Sequence, residues 1–276
     1  PAARRQFEQD FAGATFEGLE DLLEGSEVDA VYLATPVHGH LDQVRVLAKA
    51  GIPVLMEKPM ALTVAECQEI SQIAAEAGIH LIVGHSHSFD TPYLKTRELI
   101  EEGSVGKPRM MSALNYTNFM YRPRRPDELD TAQGGGVVFS QGAHQIDILR
   151  LLGGGWVTSV RAVTGGWDAQ RPTEGAYSAF LTFENGTVAN AVYSGYAHFD
   201  SDELMGWRGE LGATKDPDAY WTARENLETL TRNMAEKDAK AARNYGGTLF
   251  NAPDLDAAAA RGHQHFGSLT VSCENA

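Results

Sequence analysis

Apolar and polar positions along the chain fall into two textures. Up to residue 84, short continuous apolar runs alternate with stretches of helical period. Val28-Asp-Ala-Val-Tyr-Leu-Ala34, Ile52-Pro-Val-Leu-Met56 and His80-Leu-Ile-Val-Gly84 read as buried strands. Between them, residues 40 to 51 place Leu41, Val44, Leu47 and Ala48 on one helical face and stop at Gly51. Residues 63 to 78 open on Thr63 with Glu66 three positions on, the spacing of a capping box. Residues 1 to 11 and 19 to 23 read as two further helices. Strands separated by helices of this length predict an α/β fold with a parallel, doubly wound sheet.

The second texture begins near residue 91. A helix is expected over 92 to 102 and an alternating strand over 109 to 119. The stretch Tyr121-Arg-Pro-Arg-Arg-Pro126 reads as an extended loop, and residues 134 to 152 as a helix with a glycine-rich start. Strands over 177 to 183 and 187 to 193 flank Asn185-Gly186, a strong hairpin signal. Further strands are expected over 157 to 164 and 265 to 273, and a helical stretch over 223 to 240. These features predict an α+β domain with an open, mainly antiparallel sheet over residues 91–276, following a first domain over 1–90.

Composition narrows the partners. The 276 residues are 43% hydrophobic, enough for a sizeable core, and carry a net charge of −14. That charge argues against nucleic acid and against anionic membrane surfaces. No apolar run approaches the roughly 20 residues of a membrane span. The two cysteines, Cys67 and Cys273, do not make a disulfide framework, so a reducing cytoplasm is expected.

Candidate chemistry starts at Glu57-Lys58-Pro59, where an apolar strand stops at a lysine and proline forces a turn. A lysine there sits at the carboxyl end of a parallel strand, where open α/β sheets bind ligands; alternatively it is a solvated turn residue. His80, His85 and His87 cluster in sequence, but a zinc site needs another convergent ligand, so no metal is expected. Arg122, Arg124 and Arg125 form a basic group in an acidic chain. They suit a carboxylate, which guanidinium pairs bidentately, or else a solvated surface loop. Ser140, His144 and Asp147 fall at i, i+4 and i+7, on one side of the helix.

Four stretches in register resemble the Gfo/Idh/MocA family of oxidoreductases: Val31-Tyr-Leu-Ala-Thr-Pro36 with His40; Glu57-Lys58-Pro59; Val83-Gly-His85 followed by Phe89-Asp90 and Tyr93; and Gly134-Gly-Gly136 followed by Gly142-Ala-His144-Gln-Ile-Asp147. Within that family, residues 121 to 136 and 263 to 273 resemble phthalate 4,5-cis-dihydrodiol dehydrogenases.

The resemblance implies a partial dinucleotide-binding Rossmann domain, because nothing before Val28 fits the strand, glycine-rich turn and helix that open such a unit. The chain is accordingly expected to be a piece of a longer protein. Implied cofactor residues are Thr35, Pro36, His40, Glu57, Lys58 and Pro59. NAD is the expected cofactor, with NADP left open because the strand that reads the ribose precedes Pro1. Lys58 is the implied acid/base and His144 its partner, with Asp147 as acidic support, since many family members carry an aspartate where this chain has Ser140. Arg122, Arg124, Arg125, His85 and Ser140 are the expected substrate contacts. The expected reaction oxidises a carboxylated cis-dihydrodiol to a catechol. A sugar or polyol dehydrogenase and a non-catalytic ligand-binding relative are the alternatives. A homodimer or homotetramer is expected.

Overall fold

The computed structural model describes residues 2–250 and 262–276. The chain divides into two compact units, one of Pro1–Gly84, Ala132–Gly134 and Lys237–Pro253, the other of His85–Thr131, Gly135–Glu236 and Asp254–Ala276.

The first unit runs α1 (Ala2–Phe11), α2 (Leu19–Gly25), β1 (Val31–Leu33), α3 (His40–Lys49), β2 (Val54–Glu57), α4 (Val64–Ala77) and β3 (Leu81–Gly84). The strands form the expected parallel sheet in the order β1-β2-β3, with Val31 opposite Val54 and Leu55 opposite Ile82. The capping box forms: Thr63 Oγ1 accepts the Glu66 N–H at 3.1 Å, and the Glu66 carboxylate accepts the Thr63 N–H. Gly78, at φ 68°, closes α4. Leu33, Val54 and Met56 pack against Val44 and Leu47 of α3 and Ile70 of α4. The other sheet face carries Tyr32, Leu55 and Ile82 in one exposed row.

The second unit contains α5 (Thr91–Glu101), β4 (Pro108–Tyr116), α6 (Ala143–Gly153), β5 (Val157–Gly165), β6 (Ala176–Phe183), β7 (Val188–Ser194), α7 (Ala223–Thr231) and β8 (Ser268–Cys273). The sheet order is β5-β6-β7-β4-β8; β4 and β7 are parallel and the other pairs antiparallel. Gly186 turns the β6–β7 hairpin at φ 84°. Residues of α6 such as Ile148 and Leu149 share a buried core with Met111, Leu181 and Ala191 of the sheet. Trp156, Val160, Val163, Trp167 and Phe180 are left exposed on and beside β5 and β6. The stretch expected as one helix over 223 to 240 is two, α7 and α8 (Glu236–Arg243). Cys67 and Cys273 are free thiols. Among the described residues no helix is long and apolar enough to cross a membrane.

Three connecting segments meet at one end of this second sheet. β4 and β7 end there and the antiparallel β6 begins there, so the segments after Tyr116, before Ala176 and after Ser194 all emerge together. The helical segment carrying His144 is tied to the same end. The Val137 N–H donates to Glu174 O, and the Val138 N–H donates to the Glu174 carboxylate at 3.2 Å.

Candidate active site

In the first unit, the carboxyl ends of β1 and β2 gather the residues expected there. Thr35 and Pro36 are exposed after β1, and Lys58 is half-buried after β2, joined to Pro59 by a cis peptide bond. Glu57 accepts the Tyr32 hydroxyl through Oε1 and the Lys58 N–H through Oε2. The Glu57 hydrogen bond, with burial, pushes the Tyr32 phenol up to about 12. His40 is only 1% exposed. Its two ring nitrogens lie 3.0 Å from Thr35 O and 3.2 Å from Met60 O. The ring therefore sits between the two strand-end loops, where its one N–H in the neutral form can donate to either carbonyl.

In the second unit, the helix carrying His144 is not a uniform α-helix. Residues Val138–Gly142 form a π-helical turn ahead of α6. Such turns often mark functional sites and change the angular spacing of side chains. The one-face placement of Ser140 with His144 and Asp147, which assumed 3.6 residues per turn, therefore does not hold for Ser140. The Ser140 hydroxyl donates back to Gly136 O. Gly136 needs its glycine: it sits at φ 86°, and a Cβ would collide with the Glu174 carboxylate. Asp147 accepts from Arg150 at 3.4 Å.

His144 is 7% exposed, and its ring meets two others. The His87 imidazole approaches edge-on, with centroids 4.7 Å apart and planes at 85°. Phe266 packs against both, at 4.8 Å from His87 and 5.3 Å from His144. His87 Nδ1 lies 2.8 Å from Asp90 Oδ2. The residue-by-residue expectations passed over this Asp90–His87–His144 run. Its signal is the i, i+3 spacing of His87 and Asp90 at the entry to α5. His85 lies one turn back, where its carbonyl accepts the Ser88 hydroxyl. Among the described residues no three histidine, cysteine, aspartate or glutamate side chains are grouped to hold a metal.

The three arginines have unequal fates. Arg125 forks onto Asp127 through Nε and Nη2 at 3.0 to 3.3 Å. Exposed Arg122 donates to Asn118 Oδ1 at 3.0 Å. Arg124 turns inward: its side chain is 10% exposed, it donates to Phe119 O, and Glu128 lies 3.6 Å away. Its Nε is buried without a hydrogen-bond partner among the described residues. Burial pulls the Arg124 guanidinium down to about 10; Glu128 resists this, and Arg122 and Arg171 add to the fall.

A cavity of about 170 Å³ near this loop is lined by Tyr121, Asp168, Arg171, Arg224, Glu228 and Glu236. Arg171 is paired with Glu236, and the Tyr121 hydroxyl donates to Asp168. Its acids outnumber its arginines, so it offers an anion no excess charge.

Residues 1–85 match the oxidoreductase family Gfo/Idh/MocA with its NAD-binding Rossmann fold, and residues 93–214 match the Gfo/Idh/MocA C-terminal domain. The chain is 46% identical to the 1-carboxy-3-chloro-3,4-dihydroxycyclohexa-1,5-diene dehydrogenase of Comamonas testosteroni, over 100% of this chain and 69% of that protein. It is 31% identical to inositol 2-dehydrogenase 2 of Saccharopolyspora erythraea, over 75% of this chain and 60% of the relative. The crystal structure of a Bordetella bronchiseptica RB50 protein, 39% identical, superposes with a TM-score of 0.91 over 99% of this chain and 69% of the other.

Proposed function

The chain belongs to the Gfo/Idh/MocA oxidoreductase family, and from that premise we propose that it oxidises a carboxylated cis-dihydrodiol ring to a catechol. The observation that carries the substrate class is the buried Arg124 guanidinium with its spare Nε–H, in the loop leading to the segment that carries His144. A buried arginine is retained where a carboxylate will pair with it, because guanidinium-to-carboxylate hydrogen bonds are about twice as strong as neutral ones. The Comamonas relative, named for a carboxylated dihydroxycyclohexadiene, supports the same class. Arg122 joins Arg124 in this reading. Arg125 does not, because Asp127 already occupies its fork.

NAD is the cofactor of the family's Rossmann fold, and when bound it supplies the two-electron acceptor for the hydride. The residues present fit it: exposed Thr35 and Pro36 end β1, and Lys58 follows β2, the strand ends where such sheets take ligands. Thr35, Pro36 and the Glu57–Lys58–Pro59 turn would hold it, with His40 bracing those loops from behind.

The diol loses one hydride from carbon and one proton from oxygen. Lys58, in its amine form, takes the hydroxyl proton. His144 orients the neighbouring hydroxyl and steadies the charge that develops on oxygen. The ketone so formed tautomerises to the catechol, and the gain of aromaticity favours the forward direction. What remains for the protein is to position the ring.

A homo-oligomer is part of the reading, supported by the uncovered Val160, Val163 and Phe180 of the second sheet. So is a cytoplasmic location, supported by the two free thiols. A second reading, polyol oxidation, is favoured by the inositol dehydrogenase relative. The test is to incubate the full-length protein and NAD with a carboxylated cis-dihydrodiol and identify the product. A catechol formed in step with reduced cofactor is expected; reduction with inositol alone would establish the second reading.

A further inference from the structure

We propose that His87 is a positioning residue for His144 and that Asp90 supplies the negative charge behind it, an inference that for its kinetic readout rests on the assignment of His144 above. Asp90 stands at the N-cap of α5, where an aspartate side chain ordinarily accepts a backbone N–H. Here it makes no such bond. Its carboxylate is turned to His87 Nδ1, 2.8 Å away. The helix forgoes a cap, and the His87 ring gains a fixed orientation with Nδ1–H as donor.

All three groups are enclosed: Asp90 is 6% and His144 7% exposed, and the His87 side chain 12%. The His87 ring stands at 85° to that of His144. Phe266 closes another side, and it is anchored in turn, because its N–H donates to the Tyr93 hydroxyl at 2.7 Å. Asp90 fixes the His87 ring through Nδ1, and the His87 and Phe266 rings both bear on the His144 ring. This is the logic of an orienting carboxylate behind a catalytic imidazole, with one ring interposed.

The other ionisable groups around these rings include three phenols, the Glu210 carboxylate, whose charge acts on Tyr93 and Tyr193, and His265, which precedes Phe266 and lies 3.7 Å from Asp202. Burial pushes Tyr93 up to about 12 and moves Tyr177 and Tyr193 higher than their ordinary value as well. The phenols are neutral at any working pH, and Asp90 is the carboxylate bonded to the His87 ring itself. Ser140 is turned to Gly136 O, and Asp147 is bonded to Arg150.

The test uses the full-length protein in two variants, Asp90→Asn and His87→Gln, with two readouts. Histidine-ring ¹⁵N spectra follow the His144 titration without substrate. Removing the Asp90 charge disfavours an imidazolium, so in Asp90→Asn the His144 midpoint is expected to move to lower pH by about half a unit or more. With the diol, kcat is expected to fall about tenfold while KM stays within about threefold, and the acidic limb of the rate profile to follow the same shift. Should Asp90→Asn fail to fold, the His87→Gln titration decides in its place. A His144 midpoint and tautomer unchanged in the folded variants overturn the proposal, even if their melting temperatures fall. A shifted His144 titration in a protein that turns over no dihydrodiol supports the positioning role and counts against the substrate reading alone.

Discussion

The Arg124 guanidinium carbon lies 3.5 Å from the centroid of the Phe119 ring. This cation–π stack holds a charge inside the second unit at a fixed angle. It also fixes where the unpartnered Nε–H points, which a flexible ammonium could not reproduce. Arg124→Lys should therefore raise KM for a carboxylated diol about tenfold, roughly 1.4 kcal/mol, with kcat little changed. Arg125→Ala should leave KM within about twofold, because its fork already serves Asp127. Steady-state kinetics of the two variants checks both outcomes; equal effects would return the arginine loop to a structural role.

Lys58→Ala should lower kcat by about 10² to 10⁴ while NAD binds within a few fold of wild type. Fluorescence titration measures the second quantity. A variant that keeps more than about a tenth of wild-type kcat removes Lys58 from acid–base chemistry.

Stability should carry a pH signature at Lys215. Its ammonium bonds to Asp200 and Asp202, both buried, and His265 beside them leads into Phe266. Burial raises the Asp202 carboxyl above its ordinary value, and Lys215 partly offsets this. A carboxyl with a raised folded-state pKa contributes stability below its unfolded value, which is lost as pH rises through the folded one. Lys215→Met removes the offset and widens that window upward. The loss should be about 2 kcal/mol, below that of a fully buried pair because the Lys215 side chain keeps 29% of its exposure. Melting curves should show a larger loss at neutral pH than at mildly acidic pH; an equal loss would mean that packing, and not charge, explains the effect.

What was legible in the sequence follows from which forces act locally. The parallel strands showed as apolar runs, and α4 showed through Thr63 and Glu66, because capping and burial leave marks at short spacing. The π-helical turn left no such mark. Its extra residue is accommodated by Glu174, some 36 positions away, bonding the Val138 N–H. The split between α7 and α8 has the same character, since Glu236 is committed to Arg171 and the Arg124 N–H. In the candidate site, the residue types were readable and their partners were not. Arg122, Arg124 and Arg125 look alike in sequence, and only tertiary packing separates the buried one from the paired one. His87 carried no assigned role in the sequence, and its hydrogen bond to Asp90 is visible only in the structure.

The most direct measurement is the ratio of kcat/KM for a carboxylated cis-dihydrodiol to that for the same ring without its carboxyl group, in wild type and in Arg124→Lys. A ratio of about 10² or more in wild type, falling about tenfold in the variant, is the predicted result. A ratio near one, unchanged by the variant and accompanied by efficient oxidation of inositol, would contradict the account.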